Sequence, residues 1–490
     1  MKEKHLSEQF CLGILSLDLP RKKALASLVL SLSSYLEANS VVELSLSPVF
    51  HHQYSSIFKC IHDLHIGDKS ETNYENQSKK VLDYCLKYGK AQKRIRLQTD
   101  VTPLFREHSS SLQDRQYVKK SNTVIKGNKP IGVGYALSSI NLSCECKWSN
   151  PLLRNRVPLT QTESSFAVEQ LQGLLPKLKE ALGCDLVINT TDCAYTHAGY
   201  LSPLYEEADL ICISRLRYGS KVYTCFEPNL EPNEVKQSKS GAPKIYDKCF
   251  YLRSDTRTIE GTATRTGKAY EKEQISIYEL VHDEHLTLEA KTQKDRALRI
   301  ELYRWKDLKI RSKKGHCMKH KPFDVVAVKV FDAHTNKRVF KRDLFFTIFG
   351  KRKQEVTLEE AYWDYRSRYG IEPSFRFNKQ NLFLQDYLCE NVQHLDNFLL
   401  INQLANWLLY VAASEVKFIP KKWEKKATKQ VQEGEKLSIA KTRRAAQTLF
   451  LTFDQTPFLP KSTKKGKGRI KRKTKHYPVV KKTKKRKKKE

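Results

Sequence analysis

No run of apolar residues in this chain reaches the roughly 18–20 needed to span a bilayer. The nearest, FLLINQLANWLLYVAA, is interrupted by Asn402, Gln403 and Asn406, which marks a buried helix and implies no membrane partner. No CxxC pair occurs among the twelve cysteines; Cys144 and Cys146 stand one residue apart and the others are scattered. That excludes a disulfide framework, and with no signal peptide evident the expectation is of reduced, mostly buried thiols in a cytoplasmic protein. One cluster of soft ligands, His316, Cys317 and His320 in KKGHCMKH, has no second ligand pair and is flanked by lysines that repel a cation. RNP-type aromatic strands and KH loops are absent, which argues against an RNA-binding or ribosome-associated basic protein.

Acid is scarce beside base. Lys and Arg outnumber Asp and Glu by 88 to 54, a net charge of +34 on 490 residues. Residues 461–490 hold seventeen bases and one acid, a net of +16, which leaves +18 on the rest. The excess is therefore general, and a polyanionic partner follows from it, because Lys and Arg neutralise phosphates and release condensed counterions.

The pattern divides the chain into five stretches. Residues 1–90 carry helical periodicity, with Pro20 opening KKALASLVLSLSSYLEA, a second amphipathic cluster in YSSIFKCIHDL and a polar loop expected over Glu71–Lys80. From 91 to 205, RIRLQTD reads as a strand ending on Asp100, residues 162–182 as a helix, and DLVINTTD as a short buried strand running into Asp192. Residues 206–355 are rich in strand patterns such as LRIELYRW and DVVAVKVFDA, and helix returns over 356–455. The lysine-rich stretch 456–490 offers little to fold around and is expected to be disordered.

The most informative segment is YRSRYGIEPSFRFNK. On one helix, Tyr365, Arg368, Glu372, Arg376 and Lys379 would fall along one side, since each residue turns roughly 100°. A hydroxyl, two guanidiniums and an ammonium suit phosphate oxygens, and a carboxylate suits a divalent metal. Pro373 disfavours helical geometry in the residue before it, so the stripe is more secure on its N-terminal side. Two more acids stand at expected strand ends, Asp100 and Asp192. Together with Glu372 they could converge on a pair of divalent cations, with Asp185, Asp343 and Asp364 as rivals.

Three segments carry a resemblance: LQTDVTPLFREHSSSLQDRQYVKKSN with IGVGYALSSI, INTTDCAYTHAGYLSPLYEEADLICISRLR, and YRSRYGIEPSFRFNK. They resemble bacterial insertion-sequence transposases that carry a DDE triad and a YREK signature, a branch of the ribonuclease H-like superfamily. Val101 departs from relatives that have a second acid there. The resemblance implies an α/β fold: a ribonuclease H-like core interrupted by a β-rich insertion, a helical N-terminal DNA-recognition domain and a disordered basic tail. It implies catalytic, metal-binding roles for Asp100, Asp192 and Glu372, and phosphate contacts for Tyr365, Arg368, Arg376 and Lys379. Two Mg²⁺ ions per site are implied, with Mn²⁺ as a substitute. The implied partners are double-stranded DNA at transposon ends and target, and a second copy of the chain in a homodimer. The implied location is the bacterial cytoplasm, at the nucleoid. The implied activity is cut-and-paste DNA transposition; the rival from another class is a transposase-derived, catalytically silent DNA-binding protein.

Overall fold

The computed structural model describes residues 5–64, 71–120, 130–144, 148–225, 245–262, 269–291, 296–311, 318–389, 391–421, 437–453 and 476–480. Helices and strands both occur in quantity, so the protein is α/β. It divides into two compact units. The first comprises Met1–Lys93, Leu97–Cys184 and Tyr369–Glu490, the second Arg94–Arg96 and Asp185–Arg368. Boundaries expected at 205/206 and 355/356 both fall inside the second unit.

The first unit is built around one long helix. Its elements are α1 (Leu6–Ser16), α2 (Lys22–Ser34), α3 (Ser55–Asp63), α4 (Glu71–Leu86), β1 (Arg94–Phe105, from Leu97 onward), β2 (Gln116–Lys119), β3 (Ile131–Ser143), β4 (Ser149–Arg156) and α5 (Glu163–Leu182). The chain returns to it with α8 (Ile371–Asn381), α9 (Val392–Ala412) and α10 (Ile439–Leu451). Residues Glu71–Lys80 are helical, not a loop; Val81, Leu82, Cys85 and Leu86 bury one face of that helix, and such burial outweighs a polar N-terminal half. Nearly all of α9 is buried, as its apolar run predicts, and α1, α2, α3, α4 and α10 pack against it. The three amides within it are buried, and each donates to a partner. Asn402 donates to the Leu382 carbonyl at 3.0 Å, Gln403 to that of Leu152 at 2.9 Å, and Asn406 to Asn378 at 2.6 Å. Those bonds tie α9 to β4 and to α8. The N-terminal helices thus share a unit with the sheet and the last helices.

Strand β3 is the centre of that sheet. It pairs antiparallel with β1 along one edge and with β2 and then β4 along the other. Helix α5 covers one face, where Gln170 accepts from Ser138 at 2.6 Å. A capping box at Thr162 and Ser165 starts α5, and the helix runs on through Pro176.

In the second unit β5 (Leu186–Thr191) lies parallel to β6 (Leu210–Leu216), joined through α6 (Ala198–Leu204). Beyond β6 the order continues antiparallel with β14 (Leu344–Phe349), β13 (Phe323–Asp332), β12 (Ala297–Leu308) and β11 (Glu284–Lys291). Two short ribbons complete it, β7 (Lys221–Cys225) with β8 (Tyr246–Tyr251), and β9 (Arg257–Thr262) with β10 (Ala269–Gln274). Helix α7 (Leu358–Ser367), started by a Thr357–Glu360 capping box, closes the apolar face of the large sheet. The strand-rich stretch expected over 206–355 is there, but β6, β14, β13, β12 and β11 form one sheet with β5.

Candidate active site

Asp100 lies in the interior of β1. The expected strand end at Asp100 is corrected: VTPLF continues the alternation, and pairing with β3 runs on to Phe105 opposite Gly134. In the register, Asp100 stands opposite Ser139 of β3, and Ser139 stands opposite Arg154 of β4. Directly opposed residues share a face, so an acid, a hydroxyl and a guanidinium form one row. Asp100 is partly exposed, and its Oδ1 accepts the Val101 N–H at 2.8 Å.

Helix α8 lies over the same face. Its Ser374 donates to the Ser149 carbonyl at 2.9 Å and accepts from Asn141, the β3 residue two positions along from Ser139, at 3.4 Å. Asn378, bonded to Asn406, fixes the next turn. Two residues before Ser374 is Glu372, exposed to solvent in the first turn of α8. An acid there is favoured by the helix dipole. Pro373 falls among the first residues of the helix, where a backbone donor would have no intrahelical partner in any case. Glu372, Arg376 and Lys379 then follow at i, i+4 and i+7 and share one side of α8.

Two cations occupy the row's neighbourhood. Lys379 donates from Nζ to the Pro103 carbonyl of β1 at 2.6 Å. Burial, with Arg154 as a second cause, pulls its ammonium down to about 8. Arg154 is only 3 % exposed. Its Nε reaches Ser139 Oγ at 3.4 Å and its Cζ lies 5.8 Å from the Phe375 ring centroid. Both Nη atoms are buried without a hydrogen-bond partner among the described residues, and burial pulls the group down to about 10. Sequence reasoning passed over Arg154. The signal was present in NPLLRNRVP, where a base falls at an inward position of a strand.

In the second unit Asp192 is the first residue past β5, as expected. Its Oδ1 accepts the Ala194 N–H at 2.7 Å, a side-chain-closed turn leading toward α6. Arg215, on the neighbouring β6 and one position past the residue opposite Thr191, is exposed.

Of the rivals, two are held in ion pairs and the third lies at the far end of β5. Asp364 is fully buried in ion pairs with Arg94 and Arg96. Asp343 pairs with Arg338 and accepts from Tyr278 Oη at 3.0 Å. Asp185 is exposed just before β5, at the opposite end from Asp192.

The single continuous helix expected over Tyr365–Lys379 is also corrected. Helix α7 ends at Ser367, a 3₁₀ turn spans Arg368–Gly370, and α8 starts at Ile371. Tyr365 is fully buried and stacks on Phe346 of β14, centroids 5.1 Å apart and planes 11° from parallel. Its apolar ring belongs to the core of the second unit, so it does not present a hydroxyl on a surface stripe. Arg368 is likewise buried, 5 % exposed.

Among the described residues, no group of three or more His, Cys, Asp or Glu side chains could hold a metal ion. His316 and Cys317 lie outside the described residues. Of the three expected acids, the first unit holds Asp100 on the sheet face and Glu372 on the helix that packs over it. That donor set suits a hard cation such as Mg²⁺, which takes one or two carboxylates and keeps its other positions for water and phosphate.

A family model for DDE superfamily endonucleases matches residues 16–284, more than half of the chain. The chain belongs to that family. It is accordingly a nuclease-type enzyme whose implied substrate is DNA, and DDE-type nucleases generally work with divalent metals. The match takes in Asp100 and Asp192 and ends before Glu372. No curated protein matches the chain. Among the described residues no helix is long and apolar enough to cross a membrane.

Proposed function

We propose that this protein is a DNA transposase of a bacterial insertion sequence. It hydrolyses a phosphodiester bond at the element's ends, and the freed 3′-hydroxyl then attacks target DNA. The observation that carries the reading is the placement of α8, and with it Glu372, over the sheet face that holds Asp100, in a chain of the DDE endonuclease family. Asp100 and Glu372 are the first two metal-binding acids. Asp192, in the second unit, is the third acid that the resemblance calls for. The core is of the ribonuclease H-like type, and the N-terminal helices help recognise terminal inverted repeats.

Bound Mg²⁺, or Mn²⁺ in its place, would supply activation of the attacking oxygen and stabilisation of the leaving one. The chain's own residues bind and orient. Arg376 is exposed on the side of α8 that carries Glu372, and Lys379 bonds to the Pro103 carbonyl, three residues along β1 from Asp100; both suit phosphate oxygens. A homodimer at the bacterial nucleoid, with two DNA ends held together, completes the reading.

The test uses a plasmid carrying the DNA that flanks the coding region. With Mg²⁺ the protein should release free 3′ ends and joined products. A catalytically silent binder would retain that DNA without metal and yield neither.

A further inference from the structure

Arg106 shows where the first unit finds partners for a buried guanidinium. Its Nη1 donates to the Phe105 and Gln385 carbonyls at 2.7 and 2.8 Å, and its Nη2 to those of Leu384 and Tyr387 at 3.1 Å each. Arg154, which the mechanism above leaves unused, is held differently. Its Nε reaches Ser139 Oγ at 3.4 Å, and that hydroxyl donates to Asn141 Oδ1 at 2.6 Å. Both of its Nη atoms are buried and unpartnered, as in no other arginine among the described residues.

No acid offsets the charge. Burial alone pulls Arg154 down to about 10, and Lys379 is pulled down to about 8 by burial and by Arg154. A guanidinium and an ammonium thus lie near each other where α8 meets the sheet. Such a pair is costly until something anionic takes the open donors, because a buried charge with unpaired donors keeps most of its desolvation penalty.

The two Nη atoms of a guanidinium match two oxygens of a phosphate. Donors already stripped of water hold an anion more strongly than hydrated ones, since no reorganisation is left to do. The register gives the place. Asp100, Ser139 and Arg154 form one row on three neighbouring strands, which sets the backbones of the acid and the guanidinium about 10 Å apart. A phosphate over that row lies between the two. Side chains of α8 cover the guanidinium, the Phe375 ring among them with its centroid 5.8 Å from Cζ. A phosphate reaches the Nη atoms by displacing that cover.

We propose that Arg154 is a phosphate-binding residue of the active site, whose two Nη atoms take the oxygens of one backbone phosphate of the cleaved DNA strand over the row Asp100–Ser139–Arg154. The strand as the source rests on the nuclease reading above; the anion site does not.

Thermal melts in inorganic phosphate and in chloride at equal ionic strength read the site. Cleavage of end-bearing duplex with Mg²⁺ reads the source. The full chain is compared with Arg154→Met, with Arg154→Gln and, as a control for lost charge, with Lys87→Met, an exposed residue just past α4. Tens of millimolar phosphate should raise the melting temperature of wild type and of Lys87→Met by about 2 °C or more, and that of neither Arg154 variant. In wild type it should also raise the Lys379 pKa, an effect of the added anion that needs no variant. Both Arg154 variants should bind duplex in EDTA within about threefold of wild type and cut it at least about tenfold more slowly. Equal wild-type melts in phosphate and chloride would overturn the site whatever the variants do, and so would stabilisation that survives in both Arg154 variants. A phosphate effect lost in those variants, with cleavage at the wild-type rate, would overturn the DNA strand as its source in favour of free phosphate. A wild type that shows the phosphate effect but cuts no DNA would support the site and sink the nuclease reading.

Discussion

Asp100 and Arg154 stand opposite the same residue, Ser139, from the two edges of β3, so an acid and a buried guanidinium face one side of the sheet. The guanidinium has two nitrogens without partners among the described residues, and α8 lies above it. This arrangement is costly, because leaving the donors of a buried charged group unpaired costs on the order of a few kcal/mol. Substitution by a long apolar side chain removes that cost. Arg154→Met should match or exceed the wild-type melting temperature and raise the Lys379 pKa, read by amine NMR. A large loss of stability with no change at Lys379 would show that Arg154 is tied down by partners.

Lys379 makes stability depend on pH in a definite direction. The unfolded chain holds the lysine proton to about 10.4, whereas the folded chain releases it near 8. Between those values the unfolded state binds more protons, so rising pH stabilises the fold, and below about 8 the destabilisation is fully present. Lys379→Met should therefore be more stable than wild type at pH 7, with the difference shrinking from pH 8 to 10. Paired thermal melts across that range check it, and a constant difference would contradict it.

Tyr365 is predicted to act through packing. Tyr365→Phe should leave duplex affinity within about twofold, while Tyr365→Ala should cost about 3–5 kcal/mol of stability in denaturant unfolding. A tenfold loss of affinity in the Phe variant would restore a phosphate contact for its hydroxyl.

Metal should separate binding from cutting. Duplex retention should persist in EDTA, and cleavage should appear only with Mg²⁺ or Mn²⁺. Cleavage in EDTA would remove the carboxylates from the chemistry.

The sequence made much of this legible, and the failures have physical causes. Helix α9 was readable because a long apolar run has few alternatives, and its amides gave no hint of which carbonyls they meet. The turn after β5 at Asp192 was readable from a short apolar strand ending in polar residues. Asp100 was placed at a strand end because RIRLQTD closes on an acid, yet pairing with β3 carries the strand on through Pro103 to Phe105. The stripe from Tyr365 to Lys379 assumed an unbroken helix, but the break at Arg368–Gly370 has no proline to mark it, and Pro373 is harmless in a first turn. Spacing alone could not tell that the Tyr365 ring faces a core.

The most direct measurement is cleavage of end-bearing DNA by Asp100→Asn, Asp192→Asn and Glu372→Gln, each checked for an unchanged melt and retained duplex binding. Each variant should cut at least about a hundredfold more slowly than wild type, because removing a metal-binding acid removes stabilisation of the transition state. Wild-type cleavage in any of the three would contradict the assignment of that acid, and wild-type cleavage in both Asp100→Asn and Glu372→Gln would end the account.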